Sequence, residues 1–257
     1  MRNFKLTIAF DGTTFSGWQK QLNAPTVQEE LENALATITN DSVILHGAGR
    51  TDAGVHALGM VASFQTESQV PLPELLRGAN ALLPSAIRIL SMDEVEHDFH
   101  ARFSATSKTY YYHIETGTIQ SPLTRLYAVH VPQELSIKAI QQSLEIITGT
   151  HDFASFEASG SRDKTITTGR GSVRTIHRAI LSETGKNSLR FEFTGDGFLR
   201  HMVRNIVGTI LEVGKRRKTI KEFQTILAAK DRSTAAATAP AHGLCLKEVN
   251  YKESTPR

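Results

Sequence analysis

Apolar and polar positions along the first hundred residues change period several times, and the changes mark out elements. Phe4–Phe10 has the alternation of a strand and is closed by the turn residues Asp11 and Gly12. Thr26 and Glu29 have capping-box spacing, in which each side chain satisfies the other residue's backbone N–H. The helix they start places Val27, Leu31, Leu35 and Ile38 on one stripe. Residues 42–46 and 60–65 read as strands on either side of a glycine-rich segment. A helix over 73–82 and a strand over 87–93 complete the half. The order is β-α-β-β-α-β, a ferredoxin-like arrangement.

The same order recurs further along. Residues 108–114 form a strand, and 137–147 a helix with apolar residues at 137, 140, 144 and 147. Residues 174–183 and 188–193 pair as a hairpin across Thr184, Gly185 and Asn187. Helices follow over 198–213 and 220–229, and a closing strand over 244–251. The expected fold is α+β: two ferredoxin-like halves, residues 1–102 and 103–257, with antiparallel sheets forming a central cleft. The first half carries the glycine-rich segment and the second completes the cleft. Two polar stretches, 158–171 and 231–238, read as loops, the first long enough to be functional. Ferredoxin-like folds host many activities, so this architecture leaves function open.

Composition narrows the class. The chain has 257 residues, 40% hydrophobic and 21% charged, which excludes a disordered or fibrous protein. No apolar run approaches the roughly 20 residues that span a bilayer, and the amino-terminal apolar stretch reads as a strand rather than a secretion signal. Cys245 stands alone, so no internal disulfide forms and the cytoplasm is the default location. Net charge is +3 with a pI near 9.0, compatible with a polyanionic partner. Lys215–Lys218 forms one basic run, either a phosphate-contact surface or a solvated face.

The segment HGAGRTDAGVHA (46–57) lies between two expected strands. Gly49 and Gly54 have the spacing of a phosphate-binding P-loop, but Val55 and His56 stand where that motif needs Lys and Ser/Thr. A dinucleotide fingerprint starting at Gly47 and Gly49 fails at Asp52, which takes its third glycine position. Two readings remain on spacing alone: a turn whose aspartate caps the local backbone, or a catalytic loop that projects Arg50 and Asp52. His97 and His100 have H-x-x-H spacing, but no further ligand cluster accompanies them, and no metal site is expected.

The whole string GRTDAGVHA (49–57) closely resembles the signature of the TruA family, the tRNA pseudouridine synthases that act on the anticodon stem-loop. FDGTTFSGWQKQ (10–21), FHARFSATSKTYYYHI (99–114), GDGFLRHMVRNIVGTILEVG (195–214) and APAHGLCL (239–246) are similar to that family's segments in the same order. The resemblance implies that Asp52 is the catalytic carboxylate, acting on the ribose as nucleophile or as base. It implies that Arg204 is the cation beside it. By the same resemblance Tyr110 matches the tyrosine expected to stack on the target uracil, and Arg50 the arginine expected to help hold the nucleotide out of its stack. Tyr111 then points to the opposite face of its strand, and Tyr112 packs. Met202 and Val203 are expected in the core. The implied partners are tRNA, at positions 38, 39 and 40, and a second copy of the chain in a homodimer; no cofactor is implied. The rival from another class is a non-catalytic RNA-binding module of two ferredoxin-like halves. That rival gives no reason for a carboxylate in a surface meant for phosphate.

Overall fold

The computed structural model describes residues 1–161 and 169–252. In chain order the elements are β1 (Arg2–Phe10), α1 (Val27–Thr39), β2 (His46–Gly47), β3 (His56–Thr66), α2 (Leu72–Leu82) and β4 (Ile87–Val95). They continue with β5 (Ala105–Thr116), β6 (Val129–Val131), α3 (Ile137–Ile147), β7 (Gly149–Asp152), β8 (Val173–Gly185) and β9 (Ser188–Gly195). The last three are α4 (Met202–Gly214), α5 (Ile220–Ala229) and β10 (Leu244–Tyr251). The fold is α+β, and the chain divides into two compact units, residues 1–108 with 245–257 and residues 109–244. The closing strand is therefore grouped with the first unit, not with the half it follows in sequence.

In the first unit β1 lies between β4 and β3, antiparallel to both, and β2 pairs antiparallel with β3. The spatial order β4-β1-β3-β2 is that of the ferredoxin-like half. The outer edge of β3 is shared: Ala62 and Ser63 take β2, while His56 and Ala57 take β10 in parallel. Phe4, Leu6, Ile8 and Phe10 are all buried, as their alternation requires, and Phe4 stacks on Phe64 at 5.3 Å.

Two expectations change here. The strand over 42–46 is reduced to His46–Gly47, although Val43 and Leu45 are buried and Ile44 exposed, as alternation demands. The cause lies in α1. Glu32 Oε1 accepts the Leu45 N–H at 3.0 Å and Gln28 Nε2 donates to the Leu45 carbonyl at 3.1 Å. Helix side chains thus satisfy backbone that a ladder would otherwise use. The capping box at Thr26 is half formed: its hydroxyl accepts from the Glu29 N–H, while the Glu29 carboxylate lies 4.0 Å from Lys20. The complete reciprocal box is at Thr219 and Glu222, at the start of α5.

In the second unit the strands run β5-β9-β8-β7, with β6 parallel to β5. β8 and β9 form the expected hairpin, Asn187 taking the left-handed conformation in its turn. α3, α5 and β10 match their expected ranges. β6 and β7 were not expected; at 3 and 4 residues they are too short to show a period. α4 starts four residues later than the apolar pattern implies, because His201 takes a left-handed conformation (φ 62°) and cannot extend the helix backward. The stretch 231–238 is tightly bonded rather than loose. Arg232 and Thr238 both donate to Oδ1 of the fully buried Asn205, whose Nδ2 donates to the Phe156 carbonyl at 2.8 Å. Of the polar stretch 158–171, residues 162–168 lie outside the described residues. Its remainder is tied down by the Ala158 N–H to the Arg200 carbonyl (2.9 Å) and by Arg170 to Asp196 (2.7 Å).

Candidate active site

The segment 46–57 is shaped by the segment 10–21, which wraps against it. Trp18, almost fully buried, donates its backbone N–H to the Thr51 carbonyl at 3.2 Å, and the Gly54 N–H donates to the Phe15 carbonyl at 3.3 Å. Gly17 has φ +99°, and a Cβ there would lie 2.5 Å from the Thr51 oxygen, so only glycine permits this approach. The same short stretch serves α1: the carbonyls of Gly17 and Trp18 accept the Val27 and Gln28 N–H groups, which the helix itself cannot satisfy. One strip of backbone therefore seats both the helix start and the Asp52 loop.

Within the loop, the Val55 N–H returns to the Asp52 carbonyl at 3.2 Å and closes a turn. His56 follows in β3, buried, with Nδ1 accepting the Gly12 N–H at 3.1 Å and lying 3.2 Å from Asp11 Oδ1. Asp52 is partly buried and Arg50 exposed on the same few residues. Thr51, between them, is buried, and its hydroxyl has no hydrogen-bond partner. A buried hydroxyl left in that state costs about 1–3 kcal/mol, a cost that falls on the residue next to the candidate carboxylate.

The second unit holds the other two candidates. Tyr110 and Tyr112 are buried on one face of β5, and Tyr111 turns to the other, where the Arg190 guanidinium lies 4.3 Å from its ring. The Tyr110 ring meets Phe198 edge-on at 5.1 Å. Tyr112 is fully buried and donates to the Pro240 carbonyl at 2.8 Å; burial drives its phenol pKa well up, against the opposing charge of Arg204. Arg204 is partly buried on α4, and its Nε donates to the Ala239 carbonyl at 2.8 Å. Gly208, one turn further, lets the Ala237–Ala239 backbone lie directly on the helix, where any Cβ would collide with the Ala237 carbonyl. Met202 and Val203 are buried, as expected.

The structure thus puts Arg50 with Asp52 in one unit and gathers Tyr110, Tyr112, Phe198 and Arg204 in the other. Sequence reading missed three supports: Trp18, Phe198 and the Asn205 hub. The dense glycines of FDGTTFSGWQ were the available signal for the first. Of the basic run, Lys215 and Arg217 lie 3.1 and 3.4 Å from Glu212; burial raises that carboxyl's pKa, but the two cations outweigh it and lower it. Among the described residues, no group of three or more His, Cys, Asp or Glu side chains could hold a metal ion, and no helix is long and apolar enough to cross a membrane.

A family model described as tRNA pseudouridine synthase matches residues 6–104 and 144–252. A protein of Desulfotalea psychrophila named tRNA pseudouridine synthase A 1 is 53% identical over 98% of this chain and 100% of its own length. Proteins named tRNA pseudouridine synthase A from Lacticaseibacillus casei and Clostridium kluyveri are 45% and 44% identical, each over 98% of this chain and 100% of its own length.

Proposed function

The chain belongs to the tRNA pseudouridine synthase family, and we propose that within it Asp52 is the carboxylate on which catalysis depends. The enzyme is an isomerase that acts on tRNA uridine. The observation that carries the assignment is the anchored loop: Asp52 is partly buried on backbone held by Trp18 and Phe15, inside the family-like string GRTDAGVHA.

The reaction breaks the bond between C1′ and N1, turns the uracil and joins C1′ to C5, and the proton on C5 is lost to solvent while N1 gains one. Atoms and electrons balance without oxidant or reductant. Asp52 acts ionised, either attacking C1′ or removing a ribose proton, and both roles need a carboxylate fixed against the sugar. Arg204 is the cation that the family resemblance assigns to the site. Its Nε bond to the Ala239 carbonyl restrains the guanidinium. Tyr110 presents a ring for the uracil, steadied edge-on by Phe198. Arg50, exposed beside Asp52, takes over part of the stacking lost when the nucleotide leaves the helix, an extrusion costing a few kcal/mol.

The resemblance extends the reading to finer points. The substrate is the anticodon stem-loop, modified at positions 38, 39 and 40, and the working form is a homodimer in the cytoplasm. Incubation with tRNA transcript carrying C5-tritiated uridine, with no added cofactor, is expected to release tritium, and Asp52→Asn to abolish it. Release that survives Asp52→Asn would sink the role of Asp52. Absence of release by the intact protein on several tRNAs would leave a binding module. Mapping the product by reverse transcription of carbodiimide-treated tRNA locates the modified positions, and sedimentation gives the number of subunits.

A further inference from the structure

Among the described residues His97 and His100 belong to no group of three or more possible metal ligands, and one of the two stands in a different arrangement. The His100 ring lies 5.0 Å from His46 and 4.4 Å from Phe103, and the Arg102 guanidinium lies 5.7 Å from the Phe103 centroid. These four side chains form a continuous array of flat groups in the first unit. Phe103 is 78% exposed and Arg102 and His46 are exposed with it. Scattered surface apolar residues need no explanation, but this one is part of an ordered set.

The turn that carries Phe103 is rigid. His100 Nδ1 accepts the Arg102 and Phe103 N–H groups at 3.1 and 3.4 Å, and the Ser104 hydroxyl and N–H bond back to His100. Ala101, fully buried, donates to Ser63 Oγ on β3, and its carbonyl accepts from Tyr251 on β10. Burial, His46 and Arg102 all push the His100 pKa down, so its ring is neutral at physiological pH and stacks as a flat, uncharged group. Beside the array opens a cavity of about 370 Å³ in which Ile44, His46, Phe99 and His100 provide apolar and ring surface and Ser63 and Gln65 polar groups.

We propose that the array of His46, His100, Phe103 and Arg102 is a second RNA-docking surface, which stacks an unpaired nucleobase on Phe103 and holds an adjoining phosphate with Arg102. The inference rests on the reading of the chain as a tRNA-modifying enzyme. A flat, rigid aromatic next to a guanidinium is the chemistry that binds single-stranded nucleotides irrespective of base identity. His46 also stands six residues before Asp52 on the same segment, so its α-carbon lies within roughly 22 Å of the Asp52 α-carbon. One RNA stem-loop reaches both.

Binding of fluorescently labelled tRNA transcript, followed by polarisation, tests the surface separately from turnover. Phe103→Ala is expected to weaken Kd and raise KM about tenfold with kcat unchanged. The melting temperature should stay at the wild-type value, because the side chain is exposed. Phe103→Trp is expected to keep the affinity, and its added emission should be quenched by tRNA. Arg102→Ala should lower the slope of log Kd against log salt by about one, a change that a purely structural role would not produce. Unchanged affinity in Phe103→Ala overturns the proposal, and so does unchanged affinity accompanied by altered self-association in sedimentation, which would assign the surface to a protein contact. The same titrations on the Asp52→Asn background read binding without turnover, so failure of the docking surface and failure of the catalytic assignment are distinguishable.

Discussion

Gly17 lies directly beneath Thr51, with space for a hydrogen but none for a methyl group between its α-carbon and the Thr51 carbonyl oxygen. The residue that precedes the candidate catalytic carboxylate is therefore positioned by a residue more than thirty places earlier. Gly17→Ala is expected to lower stability by about 2 kcal/mol, from its positive φ and the forced displacement. It should also lower kcat by at least tenfold, since a shift of the Asp52 backbone by about 1 Å is costly for chemistry at a fixed atom. Urea unfolding and single-turnover rates measure the two effects. Wild-type turnover in a folded Gly17→Ala protein would show that the loop does not depend on this contact.

The second unit contains a matching dependence. Gly208 allows Ala237–Ala239 to lie on α4, and Ala239 in turn accepts from Arg204. Gly208→Ala is expected to push that backbone away, loosen the Arg204 guanidinium and reduce kcat, and Arg204→Lys to do the same without the packing defect. Lysine supplies a charge but not the planar set of donors. Comparable kcat for wild type and Arg204→Lys would remove the case for guanidinium geometry.

Cys245 gives a direct check on packing in the first unit. It is 9% exposed, and burial pushes its thiol up to about 12, against a backbone hydrogen bond from Leu58. Alkylation requires the thiolate. The native protein is expected to resist iodoacetamide at pH 8 and to be labelled only as it unfolds in urea. Labelling of the folded chain within minutes would contradict this burial.

Asp152 should shape the acid limb of stability. Burial raises its pKa, but the Ser172 hydroxyl at 2.5 Å, the Ala154 N–H at 3.1 Å and Lys230 at 3.4 Å outweigh that and hold it below the usual aspartate value of 3.8. A carboxyl lowered in the folded state stabilises above its unfolded pKa, and the contribution is lost as pH falls through the folded value. Asp152→Asn should therefore be less stable than wild type at pH 7, with the difference shrinking below pH 3.8. Parallel pH–melting curves for the two proteins would refute this contribution.

Much of this protein follows from local signals in its sequence. α3 and α5 keep their expected ranges because cap residues and apolar spacing act within a few residues of one another. The β8–β9 hairpin does so because its turn chemistry is local, and the alternation of Tyr110, Tyr111 and Tyr112 holds because strand geometry alone imposes it. Asp52 itself was legible only as part of a long ordered string, since by spacing it was an ordinary turn residue. Tertiary structure decided what distant residues do to one another. Gln28 and Glu32 take the Leu45 backbone and cut β2 to two residues. β10 finds its partner in β3, nearly two hundred residues earlier. Gly17 and Trp18 seat the Asp52 loop, and His46, His100 and Phe103 come together as one array. Each of these depends on contact between atoms far apart in the chain, and periodicity, which reports only on neighbours, carries no trace of it.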